Sequence, residues 1–376
     1  MEKKLRIGLV CPYDIFSEGG VQFVVKHLYS YLVKRGHYVK IITPYPIGNT
    51  DMSKMSSKDV IFIGKSRDFR SPLHTTVQIS SSADDKEIRQ VLKNEKFDLI
   101  NYHEPWVPFL SKQILTHSTS INIGTFHAKI PDTRLIKGLV KSLNPYLKSV
   151  AKNLDGFTAV SHAAAEHINT LTDREIKIIS NFIELSEYQM NTKKDKSENK
   201  TILYIGRLET RKGVRYLLDA FSLINEKYDN LELIIGGDGP KKKVLIDQAE
   251  DLNLKNVKFL GKVTSAQKGD LLNKADLFCS PAIYGESFGI VLLEAMAANI
   301  PIVCGDNPGY KELMKDIGVF SVVDVKNKQD FANRLELLLF NTSLIKIFQD
   351  WEKEYVKLFN ENNVLASYES YFLSVK

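Results

Sequence analysis

The chain reads as an α/β protein of two doubly wound, Rossmann-like domains, and three observations predict this. Short apolar runs alternate with helical patterns along its 376 residues, the rhythm of βαβ units around a parallel sheet. That length favours two domains, each large enough for its own core. The alternation stops at Asn191–Lys200, where no apolar residue occurs, and then restarts, so this stretch reads as a linker.

In chain order, Arg6–Pro12 is an apolar run suited to a buried parallel strand. A turn, Tyr13-Asp14-Ile15-Phe16-Ser17-Glu18-Gly19-Gly20-Val21-Gln22, then feeds a helix through Arg35. Further strands are expected at Tyr38–Pro44, Val60–Gly64, Asp98–Glu104, Ile121–His127, Gly156–Ser161 and Glu175–Asn181. Helices are expected at Asp84–Glu95 and up to Ile114–His117, and Ser161 is placed to cap the helix after it. The polar segments Asn49–Asp59 and Ser66–Ser82 read as loops, the latter facing the ligand cleft. The second series has strands at Thr201–Arg207, Leu231–Gly237, Val257–Gly261, Leu277–Pro281 and Ile300–Gly305. The expected domains are therefore 1–190 and 201–354.

Composition sets outer limits. With 43% apolar and 26% charged residues, the chain is ordinary globular material. No uncharged apolar run reaches the ~18 residues of a membrane span. The opening Met-Glu-Lys-Lys-Leu-Arg-Ile-Gly-Leu-Val reads as a first strand and not a secretion signal. Cys11, Cys279 and Cys304 lie in or beside apolar runs, as buried free thiols of a reducing cytoplasm would. A net charge of +6 permits an acidic partner such as an anionic bilayer without demanding one, and nothing calls for nucleic acid.

The densest chemical signal is Gly285-Glu286-Ser287-Phe288-Gly289-Ile290-Val291-Leu292-Leu293-Glu294-Ala295-Met296-Ala297. One glutamate follows a glycine in a turn; another sits eight positions on, inside an apolar helix. Eight helical residues rise about 12 Å, more than the roughly 5–9.5 Å of a paired-carboxylate hydrolase. That spacing suits one extended ligand held at both ends, its negative middle over the helix N-terminus. A sugar–diphosphate–ribose is such a ligand, although two capping or ion-paired glutamates would give the same pattern.

This block resembles the signature of the family 4 retaining glycosyltransferases of the GT-B fold. The resemblance implies two Rossmann-like domains with the active site in the cleft between them, and a last helix, about 355–376, packing back on the N-terminal domain. It implies that Glu286 contacts the donor sugar and Glu294 the nucleotide ribose, with Ser287, Phe288, Gly289 and Ile290 along the donor. Gly206-Arg207-Leu208-Glu209-Thr210-Arg211-Lys212-Gly213 is similar to the family's G-R-x-x-x-x-K-G. Arg207, ending a strand, and Lys212, opening a helix, are then expected to hold the diphosphate, while Arg211 has no assigned part. Gly19 and Gly20 stand where the family touches the donor phosphate. Gly-Thr-Phe-His127 is similar to the motif whose histidine faces the transferred sugar. Tyr13, Asp14, Gln22, His103 and Glu104 are candidates on the acceptor side. The catalytic set implied is His127, Arg207, Lys212 and Glu286, with a nucleotide diphosphate sugar as co-substrate, no cofactor and no metal. Ile179-Ser180-Asn181-Phe182-Ile183-Glu184 departs from the family's Pro-Asn-Gly-Val-Asp.

Within the family, Val10–Tyr13, Gly19–Gln22, His103–Pro105, Thr125–His127 and the Gly285 block are most similar to bacterial enzymes that mannosylate phosphatidylinositol. Two departures leave the acceptor open between phosphatidylinositol, diacylglycerol and a soluble or envelope glycan. Leu73–Gln78 lacks the arginines that hold a lipid headgroup, and Asp84–Lys96 carries four acidic and four basic residues. Arg134, Lys137, Lys141, Lys148 and Lys152 fall within about 60° of one another on a helical wheel, the pattern either of a crossover helix with solvated lysines or of a face docked on an anionic membrane. Leu135, Ile136, Leu139, Val140, Leu143, Leu147 and Val150 lie opposite, and Pro145 should kink or break this helix. The expected setting is the cytoplasm, peripheral to the inner membrane face. A nucleotide-sugar epimerase would need acid and base near the sugar, which the Glu286–Glu294 spacing disfavours. A non-catalytic sugar-nucleotide binder would have no use for His127. The dinucleotide fingerprint of a dehydrogenase is missing from the sequence.

Overall fold

A computed structural model describes residues 3–17, 19–46, 58–70, 76–80, 83–130, 134–188 and 199–375. Residues 191–198 of the expected linker and most of the Asn49–Asp59 loop lie outside the described residues, and the linker's last expected residue, Lys200, already opens a strand. The chain divides into two compact units, Met1–Ser180 with Val364–Lys376, and Asn181–Asn363. The first boundary falls earlier than the sequence suggests, and residues 355–363 belong to the second unit, not the first. Backbone pairing explains both shifts: Ile183 donates to the Phe359 carbonyl at 3.0 Å, and Glu361 donates to that of Ile183 at 3.2 Å.

The first unit contains β1 (Arg6–Val10), α1 (Gly20–Lys34), β2 (Tyr38–Tyr45), β3 (Val60–Arg70), β4 (Thr76–Ser80), α2 (Asp85–Glu95), β5 (Leu99–His103), α3 (Leu110–His117), β6 (Ile121–Phe126), α4 (Arg134–Ala151), β7 (Gly156–Ala159), α5 (His162–Ala165) and β8 (Ile176–Ile178). Its sheet order is β4-β3-β2-β1-β5-β6-β7-β8, parallel except for the antiparallel β3–β4 pair. Strands β5 and β7 are buried along their whole length, as expected where helices cover both faces of a parallel sheet. Helix α1 buries Val24, Val25, Leu28 and Leu32, the i, i+4 stripe of an amphipathic helix. Helix α2 begins where Asp84 accepts from the Lys86 amide at 2.8 Å, and only Ile88 of its residues is buried. Ser161 caps α5, accepting from the Ala164 amide at 2.9 Å.

Three expectations are corrected here. Ser66–Arg70 and Thr76–Ser80 are strand and not loop: β3 runs on to Arg70 and pairs with β4, Ser66 opposite Ser80 and Arg70 opposite Thr76, while 71–75 and 81–82 lie outside the described residues. The alternation Thr76-Val77-Gln78-Ile79-Ser80 is a period-2 strand signal hidden by its polar content. Helix α4 continues through Pro145 without a break. Leu147 and Val150 are buried on its apolar side, but Leu143 is 45% exposed.

The second unit contains β9 (Lys200–Ile205), α6 (Val214–Asn225), β10 (Leu231–Gly236), α7 (Lys242–Asp251), β11 (Val257–Gly261), α8 (Ser265–Lys274), β12 (Leu277–Ser280), α9 (Ile290–Ala297), β13 (Ile302–Gly305), α10 (Pro308–Leu313), β14 (Val322–Val323), α11 (Lys328–Phe340) and α12 (Thr342–Tyr355). Its parallel sheet has the order β11-β10-β9-β12-β13-β14, the Rossmann order with its reversal between the first and fourth strands. Leu217 and Phe221 of α6 and Phe331 and Leu335 of α11 pack with Ile202, Leu233 and Ile235 of the sheet in one core.

The last helix, α13 (Glu361–Ser374), belongs from Val364 onward to the first unit. Glu369 anchors it there, 3.0 Å from both Arg35 Nε and His37 Nε2 and accepting from the Tyr31 hydroxyl at 3.1 Å. The Tyr371 hydroxyl accepts from the Phe157 amide at 3.0 Å. All three cysteines are free and buried.

Candidate active site

In a doubly wound sheet, ligands sit at the carboxyl ends of the strands where the order reverses. In the second unit that point lies between β9 and β12, and Arg207, Lys212 and Glu286–Ile290 all follow these strands. Arg207 lies beyond the end of β9, which stops at Ile205, so it is loop and not strand. Lys212 does not open a helix either; it ends a 3-10 turn, Thr210–Lys212, and α6 begins at Val214. Gly213 stands between them at φ 69°, and a Cβ there would lie 2.0 Å from the Pro281 carbonyl oxygen. Only glycine allows this contact, and the contact brings the Lys212 loop onto the end of β12.

The result is a run of alternating charges. Arg207 Nε lies 3.0 Å from Glu209, and Glu209 accepts from Arg211 Nε at 2.9 Å. Glu286 then accepts from Arg211 at 2.6 Å and lies 2.8 Å from Lys212 Nζ. Glu209 and Glu286 are mostly buried, whereas Arg207 is half exposed. Burial of a carboxylate is tolerated because each has two cationic neighbours. Arg211, unassigned in the sequence, is the centre of the run; burial works against its charge, but Glu286 and Glu209 together outweigh burial and raise its pKa. Glu209 also escaped notice, although an acid two residues after Arg207 and two before Arg211 was its available signal.

Glu286 and Glu294 do not share a helix face. Helix α9 starts only at Ile290, after Gly289 at φ 102°, so the 12 Å helical spacing does not apply. The two acids have separate partners. Glu294, buried in α9, pairs with Lys268 of α8 and accepts from the Tyr188 hydroxyl at 3.1 Å. Neither partner was expected, since they lie 26 and 106 positions away along the chain. Phe288 is buried, while Ser287 and Ile290 are half-buried beside the first turn of α9, whose amides are those a helix leaves for an anion.

In the first unit, the residues after β1, β5 and β6, which are sheet neighbours, come together in the same way. Asp14 and Gln22 brace the turn before α1. Asp14 Oδ1 accepts from the Phe16 amide at 2.9 Å, and Gln22 donates to the Ser17 hydroxyl at 2.9 Å. Gly19 and Gly20 open α1 and are exposed. The carbonyl of half-buried Tyr13 accepts from the Thr43 hydroxyl at 2.8 Å.

Glu104 is the structural centre of this group. It lies just past β5 at φ 50°, a left-handed conformation costly for a non-glycine residue. Its carboxylate accepts from the His127 and Ala128 amides at 2.5 and 2.7 Å and from the Trp106 indole. Burial pushes its pKa up to about 7 against the pull of these donors. Glu104 and His103 are 2% and 0% exposed, so both act inside the protein and neither offers a surface to an acceptor. His127, following β6, has Nε2 2.8 Å from His103 Nδ1, and burial lowers its pKa to about 3. It is a neutral imidazole at neutral pH. The described residues contain no helix long and apolar enough to cross a membrane.

Comparison with known proteins agrees with these features. Residues 18–187 match the family described as Glycosyltransferase Family 4, and residues 187–354 match Glycosyl transferases group 1. A phosphatidyl-myo-inositol mannosyltransferase of Mycobacterium leprae is 31% identical over 353 residues, covering 90% of this chain and 89% of that protein. An N-acetyl-alpha-D-glucosaminyl L-malate synthase of Bacillus anthracis is 26% identical over 391 aligned positions, covering 99% of this chain and 97% of that protein. Among solved structures, a glycosyltransferase from Rickettsia africae superposes with a TM-score of 0.78 at 18% identity, over 99% of this chain and 98% of that one. That likeness is one of fold.

Proposed function

Because this chain belongs to glycosyltransferase family 4 and is a nucleotide-sugar-dependent glycosyltransferase of GT-B fold, we propose that it is a retaining enzyme moving a hexose from a UDP- or GDP-sugar to a hydroxyl of a membrane lipid such as phosphatidylinositol or diacylglycerol. The observation that carries the donor side is the charge run from Arg207 through Glu209, Arg211 and Glu286 to Lys212, set before the N-terminus of α9. In this reading Lys212 and Arg207 stabilise the diphosphate as it leaves. Glu286 accepts from a sugar hydroxyl, and Glu294 accepts from the ribose. The acceptor oxygen bonds to the anomeric carbon on the face the diphosphate vacates, and its proton passes to the departing phosphate oxygen. The carbon keeps its configuration, and no protein group is consumed.

The lipid acceptor is supported by the likeness to the Mycobacterium leprae enzyme and by exposed Lys141, Lys148 and Lys152 on and just after α4. A peripheral position on an anionic membrane face follows from that reading. A soluble acceptor is the second reading, favoured by the full-length likeness to the Bacillus anthracis malate glycosylating enzyme.

The test is a panel of UDP- and GDP-hexoses crossed with phosphatidylinositol, diacylglycerol and L-malate, scored by nucleotide release and by the anomeric configuration of the product. Transfer to a lipid with the donor's configuration is expected. Transfer to malate alone would establish the second reading, and inversion would overturn retention.

A further inference from the structure

We propose that His103 is a positioning residue that fixes the tautomer of His127, so that His127 meets its ligand as a hydrogen-bond acceptor through Nδ1. This rests on the reading of His127 as the imidazole facing the transferred sugar.

The argument is one of hydrogen-bond complementarity. His127 Nε2 and His103 Nδ1 are 2.8 Å apart, so one nitrogen carries the shared proton and the other accepts it. If His103 carried it, its Nε2 would be a lone pair in need of a donor. If His127 carried it, His103 Nε2 would be an N–H in need of an acceptor. His103 Nε2 is buried without a direct partner, and so is Asn101 Oδ1. Asn101 lies two residues earlier on β5, on the same face of the strand. Its amide nitrogen is already committed to the Thr125 hydroxyl at 2.7 Å and the Ile123 carbonyl at 3.1 Å. Asn101 therefore has only an acceptor left to offer.

An acceptor matches the second case alone. A proton on His103 Nε2 is complementary to the acceptor left on Asn101 Oδ1, and because neither atom has a direct partner, one bridging water between them would satisfy both. His103 Nδ1 is then the acceptor, and His127 must carry its proton on Nε2. The neutral imidazole of His127 is left with a lone pair on Nδ1, suited to a sugar hydroxyl as donor. The order continues inward, since Thr125 and Thr158 hydroxyls are 2.7 Å apart, which ties Asn101 into the neighbouring strands.

The deciding experiment is NMR of the full chain labelled with 15N in its eight histidine rings, with His103 and His127 assigned by loss of signal in His103→Asn and His127→Gln. Both rings are expected as the Nε2–H tautomer. A protonated Nδ1 on either ring in the wild type would overturn the proposal, whatever the enzyme turns out to transfer. The activity arm uses His103→Asn, which keeps an acceptor near the Nδ1 position, and His103→Phe, which removes it. Asparagine should retain most of kcat. Phenylalanine should lower kcat roughly tenfold to a hundredfold, by analogy with the loss of groups that orient metal-binding imidazoles, with nucleotide diphosphate affinity unchanged. Equal loss in both variants, or loss of diphosphate affinity, would mean that His103 serves only the packing. An absence of hexose transfer by the wild type would instead count against the proposed function and leave the tautomer result standing.

Discussion

The guanidinium of Arg211 holds two carboxylates at once, Glu209 through Nε at 2.9 Å and Glu286 at 2.6 Å. It thereby ties the loop after β9 to the loop before α9. Arg211→Met should leave both mostly buried acids short of a cation. We expect a stability loss of roughly 1–3 kcal/mol in urea unfolding, together with reduced donor turnover. Wild-type stability and turnover would show that Arg207 and Lys212 suffice without it.

Lys212 and Glu294 have separate partners, so under the proposed function removing either should stop transfer without unfolding the protein. In Lys212→Ala, Arg211 still neutralises Glu286. In Glu294→Ala, Lys268 regains access to water. Each should lower kcat at saturating donor by about 100-fold or more, with an unchanged circular dichroism spectrum. A normal kcat in one variant would remove that residue from the chemistry.

The histidine pair sets a pH limit. Burial depresses the pKa of His127 to about 3 and lowers that of His103 as well. The unfolded chain then binds protons that the folded one refuses. Their contribution to stability is complete above about pH 6.5 and falls as pH drops toward 3. His127→Gln should flatten that acid limb, by about 1–2 kcal/mol at pH 4.5 after allowing for partial exposure. Urea midpoints measured from pH 4.5 to 7.5 for both proteins check this; parallel curves would mean that His127 is solvated in the folded state.

Lys141, Lys148 and Lys152 are exposed, while the side chains of Arg134 and Lys137 lie outside the described residues. Sedimentation with anionic but not zwitterionic liposomes is expected, at up to about 1 kcal/mol per lysine, with release at high salt. Reversing Lys137, Lys141 and Lys148 together to glutamate should abolish it. Unchanged binding would return these lysines to solvent.

By itself the sequence determined the two βαβ series, the place of His127 just after β6, and the turn and helix start of the Gly285–Ala297 block. These are local properties: apolar runs, glycines with restricted neighbours and a helix start can be read within about 15 residues. The partner of each charge was not legible, because Glu294–Lys268, Glu294–Tyr188 and Arg211–Glu286 join residues 26, 106 and 75 positions apart. The sequence also placed His103 and Glu104 toward an acceptor, whereas the adjacency of β5 and β6 turns them inward onto His127. Only the tertiary structure decided that, since sheet order determines which strand ends become neighbours and burial determines which polar atoms must pair with each other instead of with water.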